Sequence, residues 1–566
     1  MTRHPSAALR VLLLLFVFVP EGALSAVQQT QPGRSPASVD SLIVAGITLR
    51  RSGQPERALW DLLEAIRLDR DRPDAHHNLG LALLDLDKAD RALEALQEAR
   101  AIDPQRPGVH LGLGNALERM GDLDAAVASY REAIRLDPDY AVAHHDLGVA
   151  LSRKEDWQGA IDAHRRAIRL GPSVDSWFRD LALLLRAWGD REAVEGTYRE
   201  GLRLHPESAL LHRNLAIELQ ARGDPEEAIQ EYREALRYEP DHANTHYNLG
   251  NALSDAGDLD ASVRSYREAL RFEPEHMRAR YNVATTLREM GETGAAIAEY
   301  RELLRLDPEN ADAHLNLGDA YRAVGADESA IVQYREALRL QPDFPRAHFN
   351  WGNALRGLGD LEGAARQYRQ ALHLDPDYVV AHHNLGVVLR RMGDLKGAIR
   401  EYRRVLSLDP EHLFAHHALG IALGLSGDGA GAVLAHREAV RIDPSYAEGH
   451  AALGRALFEE GDLPGAIAAS REALRLEPGN AAWMNRLAWY LAADGTDGEE
   501  ALTMAEHLVR TRPEEGAYWS TLAEVHLHGG RLDAAEQANE TAKRLAQTPS
   551  LHRSVDQRAR RIEELR

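Results

Sequence analysis

The chain of 566 residues contains no cysteine. That excludes disulfides, thiolate metal sites, a cysteine nucleophile and a lipidated N-terminal cysteine. Positive charge is in deficit: 67 Lys and Arg stand against 88 Asp and Glu, a formal net charge of −21. Such a surface repels a phosphate backbone, so no nucleic-acid partner is expected, and the acidity is read as serving solubility. The chain has no GxSxG elbow, no HExxH and no Gly-rich phosphate loop after a strand. Its carboxylates are plentiful but recur with a fixed period, so none forms a distinctive acid/base pair. No enzyme activity, cofactor or metal is expected.

Long apolar runs are also absent, with one short exception at the start. Arg3 and Arg10 precede an apolar run from Val11 to Val19, and small residues follow at Ala23, Ser25 and Ala26. This is the layout of a secretory signal peptide, expected over 1–26. The run is well short of the ~20 residues that span a bilayer. The expectation is therefore export, periplasmic or secreted, with no stable membrane insertion once the signal is cut. Residues 27–38 (VQQTQPGRSPAS) are polar and Pro-containing and read as a disordered linker.

What the chain does have is a period. Asn-Leu-Gly at Asn78, Asn248, Asn316 and Asn384 is spaced by multiples of 34, and prolines keep the same beat from Pro104 to Pro478. The register runs from Val39 to about Asp494, one extra residue enters near Thr496, and a last unit follows from Gly516, making 15 units. Each unit reads as two helices. In the unit starting at Val379, Ala381, Leu385, Gly386, Val388 and Leu389 form one apolar stripe, and Ala398, Ile399, Tyr402, Val405 and Leu406 form another. Gly393 is placed to close the first helix, Asp394 to cap the second and Pro410 to end it. The YREALRLDP-like segments, such as Tyr334 to Gln341, carry alternating charge and read as solvent-facing ion pairs on second helices.

The pattern Leu-Gly, Ala, Gly-Asp, Ala-Ile, Tyr, Ala-Leu, Asp-Pro resembles the tetratricopeptide repeat over about 90% of the chain. That resemblance implies an all-α fold, a right-handed superhelical solenoid of about 15 helix-turn-helix units over 39–549, with a concave groove lined by first helices. Stacking supplies the core that one unit cannot make alone. The units at 175–208 (Ala182, Val194 and Gly201 for Gly, Ala and Ala) and 481–515 (the insertion) are atypical. Residues 550–566 are expected to form a capping helix.

Two slots within the unit invite a functional reading. The fourth holds histidine ten times: His76, His110, His144, His212, His246, His314, His348, His382, His416 and His450. Metal binding is not expected of them. Neighbours such as His382 and His383 point about 100° apart on a helix, and copies lie a hairpin apart. Packing in a slot where tetratricopeptide repeats commonly carry Trp is the expected role, with pH sensitivity as the milder alternative. The sixth slot holds Asn in one unbroken block, Asn214, Asn248, Asn282, Asn316, Asn350 and Asn384, besides Asn78. A packing residue would recur throughout the stack, and Asn is only a middling helix former. By resemblance to the family this slot faces the groove, where an amide can both donate to and accept from an extended backbone. The row is similar to the asparagine ladder in the repeat domain of O-linked N-acetylglucosamine transferases. The twelfth slot adds Arg288, Arg322, Arg356 and Arg390 in four consecutive units, which would favour a ligand with carboxylates. Tyr247, Tyr281 and Phe349 are candidate apolar contacts.

The function expected is a non-catalytic scaffold that binds an extended protein or peptide segment, acidic in part, in the groove between Ala209 and Pro410. Copying of one unit would also produce such rows. The alternatives are an assembly adaptor using the outer surface, and a targeting subunit for a separately encoded glycosyltransferase or other modifying enzyme.

Overall fold

A computed structural model describes residues 38–495 and 497–566. The segments read above as a signal peptide and a linker lie, apart from Ser38, outside the described residues, as does Thr496. The described residues fold into 31 α-helices and no strand. The protein is an all-α helical-repeat solenoid. It falls into two compact units, one ending at Pro274 and one beginning at Glu275. The first holds seven helix hairpins, Val39–Arg51 through Leu259–Phe272. The second holds eight, Met277–Glu289 through Leu532–Leu545, and a final helix, Pro549–Leu565. Among the described residues no helix is long and apolar enough to cross a membrane.

The hairpin Val379–Arg391/Leu395–Leu408 shows why the repeat folds as it does. Ala381, Leu385, Gly386, Val388 and Leu389 are buried on the first helix. Ala398, Tyr402 and Val405 are buried on the second, with Ile399 and Leu406 packed partly against the same core. Between the helices Gly393 takes φ +85°, a conformation that costs glycine little. Asp394 caps the second helix by accepting from the Gly397 amide at 2.9 Å. Two hairpins lack that turn glycine, and Asp87 (φ +55°) and Glu155 (φ +62°) adopt the left-handed conformation instead. Gly386 allows close approach, since a Cβ there would lie 2.6 Å from Cε1 of Tyr402.

Tyrosines repeat at that contact. Tyr130, Tyr198, Tyr232 and Tyr266 in the first unit, and Tyr300, Tyr334, Tyr368 and Tyr402 in the second, are fully buried. Two hairpins place His164 and His436 at the equivalent position.

The atypical hairpins are locally compensated. Phe178 is buried where the missing Cβ of Gly201 leaves room, the ideal Cβ position there lying 2.9 Å from the Phe178 ring. After the helix Ala481–Asp494 the second helix starts at Gly498, one residue later than the spacing of Ala447 and Leu463 in the preceding hairpin. The helix Pro549–Leu565 is held by buried Val555 and Ile562 and by a buried Arg558. Arg558 donates to Glu524 at 2.6 Å and to Asn539 at 2.9 Å.

Candidate functional site

In the second unit the candidate residues sit on four successive first helices: Met277–Glu289, Ala311–Ala323, Pro345–Gly357 and Val379–Arg391. Three of their asparagines are linked to the neighbouring first helix. Asn316 donates to the Tyr281 hydroxyl at 2.6 Å, Asn350 to Asp319 Oδ1 at 2.7 Å, and Asn384 to Asn353 Oδ1 at 3.0 Å. The acceptors are themselves engaged from the core. Tyr334 donates to Asp319 at 2.9 Å and Tyr368 to Asn353 at 2.8 Å. A relay therefore runs from each of these buried tyrosines, through the ninth-slot side chain, to the sixth-slot asparagine of the next hairpin.

Asn316 and Asn350 are consequently buried, at 5% and 8% exposure, while Asn282 and Asn384 are half-buried. Each amide carries two N–H groups and two acceptor lone pairs, so one donated bond leaves capacity for another partner. In the first unit the setting differs. Asn214 donates to its own helix at the Leu210 carbonyl, 2.7 Å away, and Asn248 is half-buried.

The arginine row lacks counter-charges. Among the described residues none of Arg288, Arg322, Arg356 and Arg390 makes a salt bridge. Some arginines on the second helices do, as with Arg305–Glu302 at 2.8 Å and Arg339–Glu336 at 2.7 Å. Arg322 is exposed and the other three are half-buried, with the Nε atoms of Arg288 and Arg390 enclosed and lacking a protein partner. Burial raises the pKa of Tyr300, Tyr334 and Tyr402, and the nearby guanidiniums of Arg288, Arg322 and Arg390 work against that rise. The row thus places four cations without salt-bridge partners at the edge of the tyrosine core, with the Asp319 carboxylate among them bound to Tyr334, Asn350 and Arg346. The candidate aromatics of this unit pack on that core, with the Tyr281 ring 6.2 Å from Tyr300 and Phe349 5.8 Å from Tyr368. In the first unit Tyr247 lies 5.9 Å from Tyr266.

The fourth-slot histidines have a use the pattern did not reveal. Nε2 of His382 contacts the Pro376 carbonyl at 3.1 Å, and the same contact joins His110 to Pro104, His246 to Pro240 and His416 to Pro410. Trp519, in the same slot, donates to the Pro513 carbonyl at 2.9 Å. The slot selects a flat ring with an N–H that satisfies a loop carbonyl. Burial opposes charge on His382, but Glu401 at 2.7 Å and the carbonyl hold its pKa above the ordinary value. Its neighbour His383 is pushed down to about 4 by burial, then by His412 and Arg356. No group of three or more metal-ligating side chains occurs among the described residues.

One cluster escaped sequence reasoning. In the first unit His145 lies between Asp146 (3.1 Å) and Asp180 (3.1 Å), stacked on Trp177, with His164 edge-on at 5.1 Å. Burial opposes its charge, but the two carboxylates prevail and raise it to about 9. His164 is instead driven down to about 4 by burial and by the charge on His145. Asp146 and Asp180 both occupy the sixth slot, so here that slot holds an internal cation. The signal was present as acids at that slot in consecutive units.

A TPR repeat family model matches residues 119–155, 218–257, 284–325, 318–356 and 352–393. A tetratricopeptide repeat model matches 43–107, 247–289, 451–501 and 494–550, and another matches 379–412. No curated protein matches the chain. Among solved structures, a crystal structure of MamA is 26% identical, covers 29% of this chain and 97% of its own, with a TM-score of 0.28. The APC/C hetero-tetramer Cut9–Hcn1 is similar at 14% identity over 86% of this chain and 99% of that one, TM-score 0.36. Naa15/Naa10 bound to HypK-THB is similar at 15% identity over 93% and 96%, TM-score 0.32.

Proposed function

The chain belongs to the tetratricopeptide-repeat family, a protein-interaction scaffold, and from that premise we propose that it holds an extended, partly acidic polypeptide segment along the first helices of the second unit. The observation that carries this reading is the row of four guanidiniums without carboxylate partners, in a chain whose net charge is −21. Four cations at one register place of successive first helices, each without a carboxylate in salt-bridge reach, leave that row open to a partner's carboxylates. Carboxylates of a ligand would supply charge-assisted hydrogen bonds there, each worth roughly 1.5–3 kcal/mol before ordering costs.

The asparagines assist differently from a free ladder. Asn316, Asn350 and Asn384 align neighbouring first helices through one N–H, the Asn316 oxygen also accepting from Arg346 at 3.5 Å, and the unused amide groups of Asn350 and Asn384 are left for a backbone. The scaffold acts without catalysis. Arg3, Arg10 and the run Val11–Val19 support export as its setting.

The test is a capture experiment with the chain from Val27 as bait in an envelope extract, beside an R322E/R356E bait whose circular dichroism is unchanged. Mass spectrometry should find proteins retained by the first bait and lost from the second. Identical captures would remove the groove from consideration and direct attention to the outer helices.

A further inference from the structure

On the helix Leu413–Leu425 the polar places of the register are vacated together. Phe414 stands where Arg278, Asp312 and Arg346 stand on earlier helices, Ala418 where Asn384 stands, Ile421 where Asn353 stands, and Gly424 where Arg390 stands. The change begins one helix earlier, with Val380 and Val387. Residues 414, 418, 421 and 425 follow the spacing that shares one helix face. Large apolar side chains there are open to solvent: Val380 is 50% exposed, Phe414 57% and Leu425 61%.

This is the face of the asparagine row. Arg346, from the second place, pairs with ninth-place Asp319 at 2.9 Å, and sixth-place Asn384 bonds ninth-place Asn353. Second, sixth and ninth places of neighbouring first helices therefore meet on one side. The next first helix, Ala447–Glu459, returns to charge with Glu448 and Arg455, and the Tyr446 ring closes the far edge by standing edge-on to Phe414 at 6.1 Å. An apolar patch is thus bounded by the guanidinium row on one side and by Glu448 and Arg455 on the other. A solvated apolar patch in a polar rim marks an interaction surface.

We infer that the helices Val379–Arg391 and Leu413–Leu425 anchor bulky apolar side chains that adjoin an acidic tract in the bound polypeptide. The inference rests on the groove reading above. Charge complementarity chooses the occupant. The tract lies over Arg288–Arg390, where four successive guanidiniums make no salt bridge among the described residues. The residues next to it on the ligand then meet Val380, Phe414 and Leu425. The scaffold reads an acidic stretch and an apolar end in a fixed order.

Two fluorescein-labelled peptides test it against the purified protein by anisotropy: an alternating Asp-Ser tract ending in Trp-Leu-Phe, and the same tract ending in Ser-Gly-Ser. The first should bind at least about tenfold more tightly. F414S/L425S, which alters two exposed side chains, should erase that difference and leave the second peptide's affinity unchanged. R322E/R356E should weaken both. Equal affinities for the unaltered protein overturn the anchor and leave the groove reading standing. Affinities untouched by R322E/R356E, or no binding of either peptide, overturn both. Heparin binding without peptide binding overturns both in favour of a polyanion site.

Discussion

His436 occupies a place that tyrosine holds in eight other hairpins, and burial followed by the charges of His417 and Arg455 drives its pKa down to about 3. An unfolded histidine titrates near 6.5. Because the folded value is depressed, stability is fully present above pH 6.5 and is lost as pH falls toward 3. The cost per pH unit below 6.5 approaches about 1.4 kcal/mol, so acidification from 6.5 to 5 removes about 1.6 kcal/mol through this one side chain. H436Y removes that dependence. Tyrosine should fit, because Gly420 presents to His436 the same open backbone that Gly386 presents to Tyr402, an added Cβ lying 2.6 Å from the ring in each case. Its hydroxyl would face Ile421, as that of Tyr402 faces Val387 without a hydrogen-bond partner. Displaced histidines away from the site, such as His77, His164 and His383 at about 4 and His145 at about 9, are common to both proteins and cancel. His417, 5.3 Å from His436, is compared through H436Y/H417Q against H417Q alone. Hydrogen exchange in the helix Gly429–Ile442, corrected for intrinsic rates, reports this local stability. Between pH 6.5 and 5 protection should fall about 15-fold more in the unaltered protein than in H436Y. Parallel losses in the two proteins would refute the reasoning.

Other perturbations follow from the same geometry. G386A forces a methyl group against Tyr402 and should cost about 1–3 kcal/mol in urea unfolding, whereas G479A, with nothing near the added Cβ, should change little. E155G relieves a left-handed glutamate and should stabilise by about 1 kcal/mol, read as a higher urea midpoint; a lower one would show that the turn is not strained. R558A leaves Glu524 and Asn539 without their buried partner and should release the helix Pro549–Leu565 at a cost of about 3 kcal/mol. Limited proteolysis would then cut within that helix before any other site; an unchanged cleavage pattern would argue that apolar contacts of Val555 and Ile562 suffice.

Repeat length, helix pairing and core were legible in the sequence because each follows from local periodicity. Spacings of three and four place Ala381, Leu385 and Leu389 on one stripe, and Gly393 and Asp394 mark the turn with chemistry that acts within a few residues. The arginine row was legible as a row for the same reason. Its lack of counter-charge was not, because a salt bridge depends on which side chains a neighbouring hairpin brings within reach. The asparagine relay, the contact from the fourth-slot ring to a proline carbonyl, and the apolar face beside Arg390 likewise depend on the register between adjacent hairpins. His145 shows the limit most sharply. Sequence places His145 and Asp146 on one first helix and Asp180 on the next, but only packing against Trp177 and His164 removes water and makes the two carboxylates hold a cation. The sequence alone determined what each helix is and which face it buries, since those preferences act over one or two turns. Tertiary structure decided which charges are paired and which are left for a partner, since electrostatics depends on distance and burial between residues a full repeat apart.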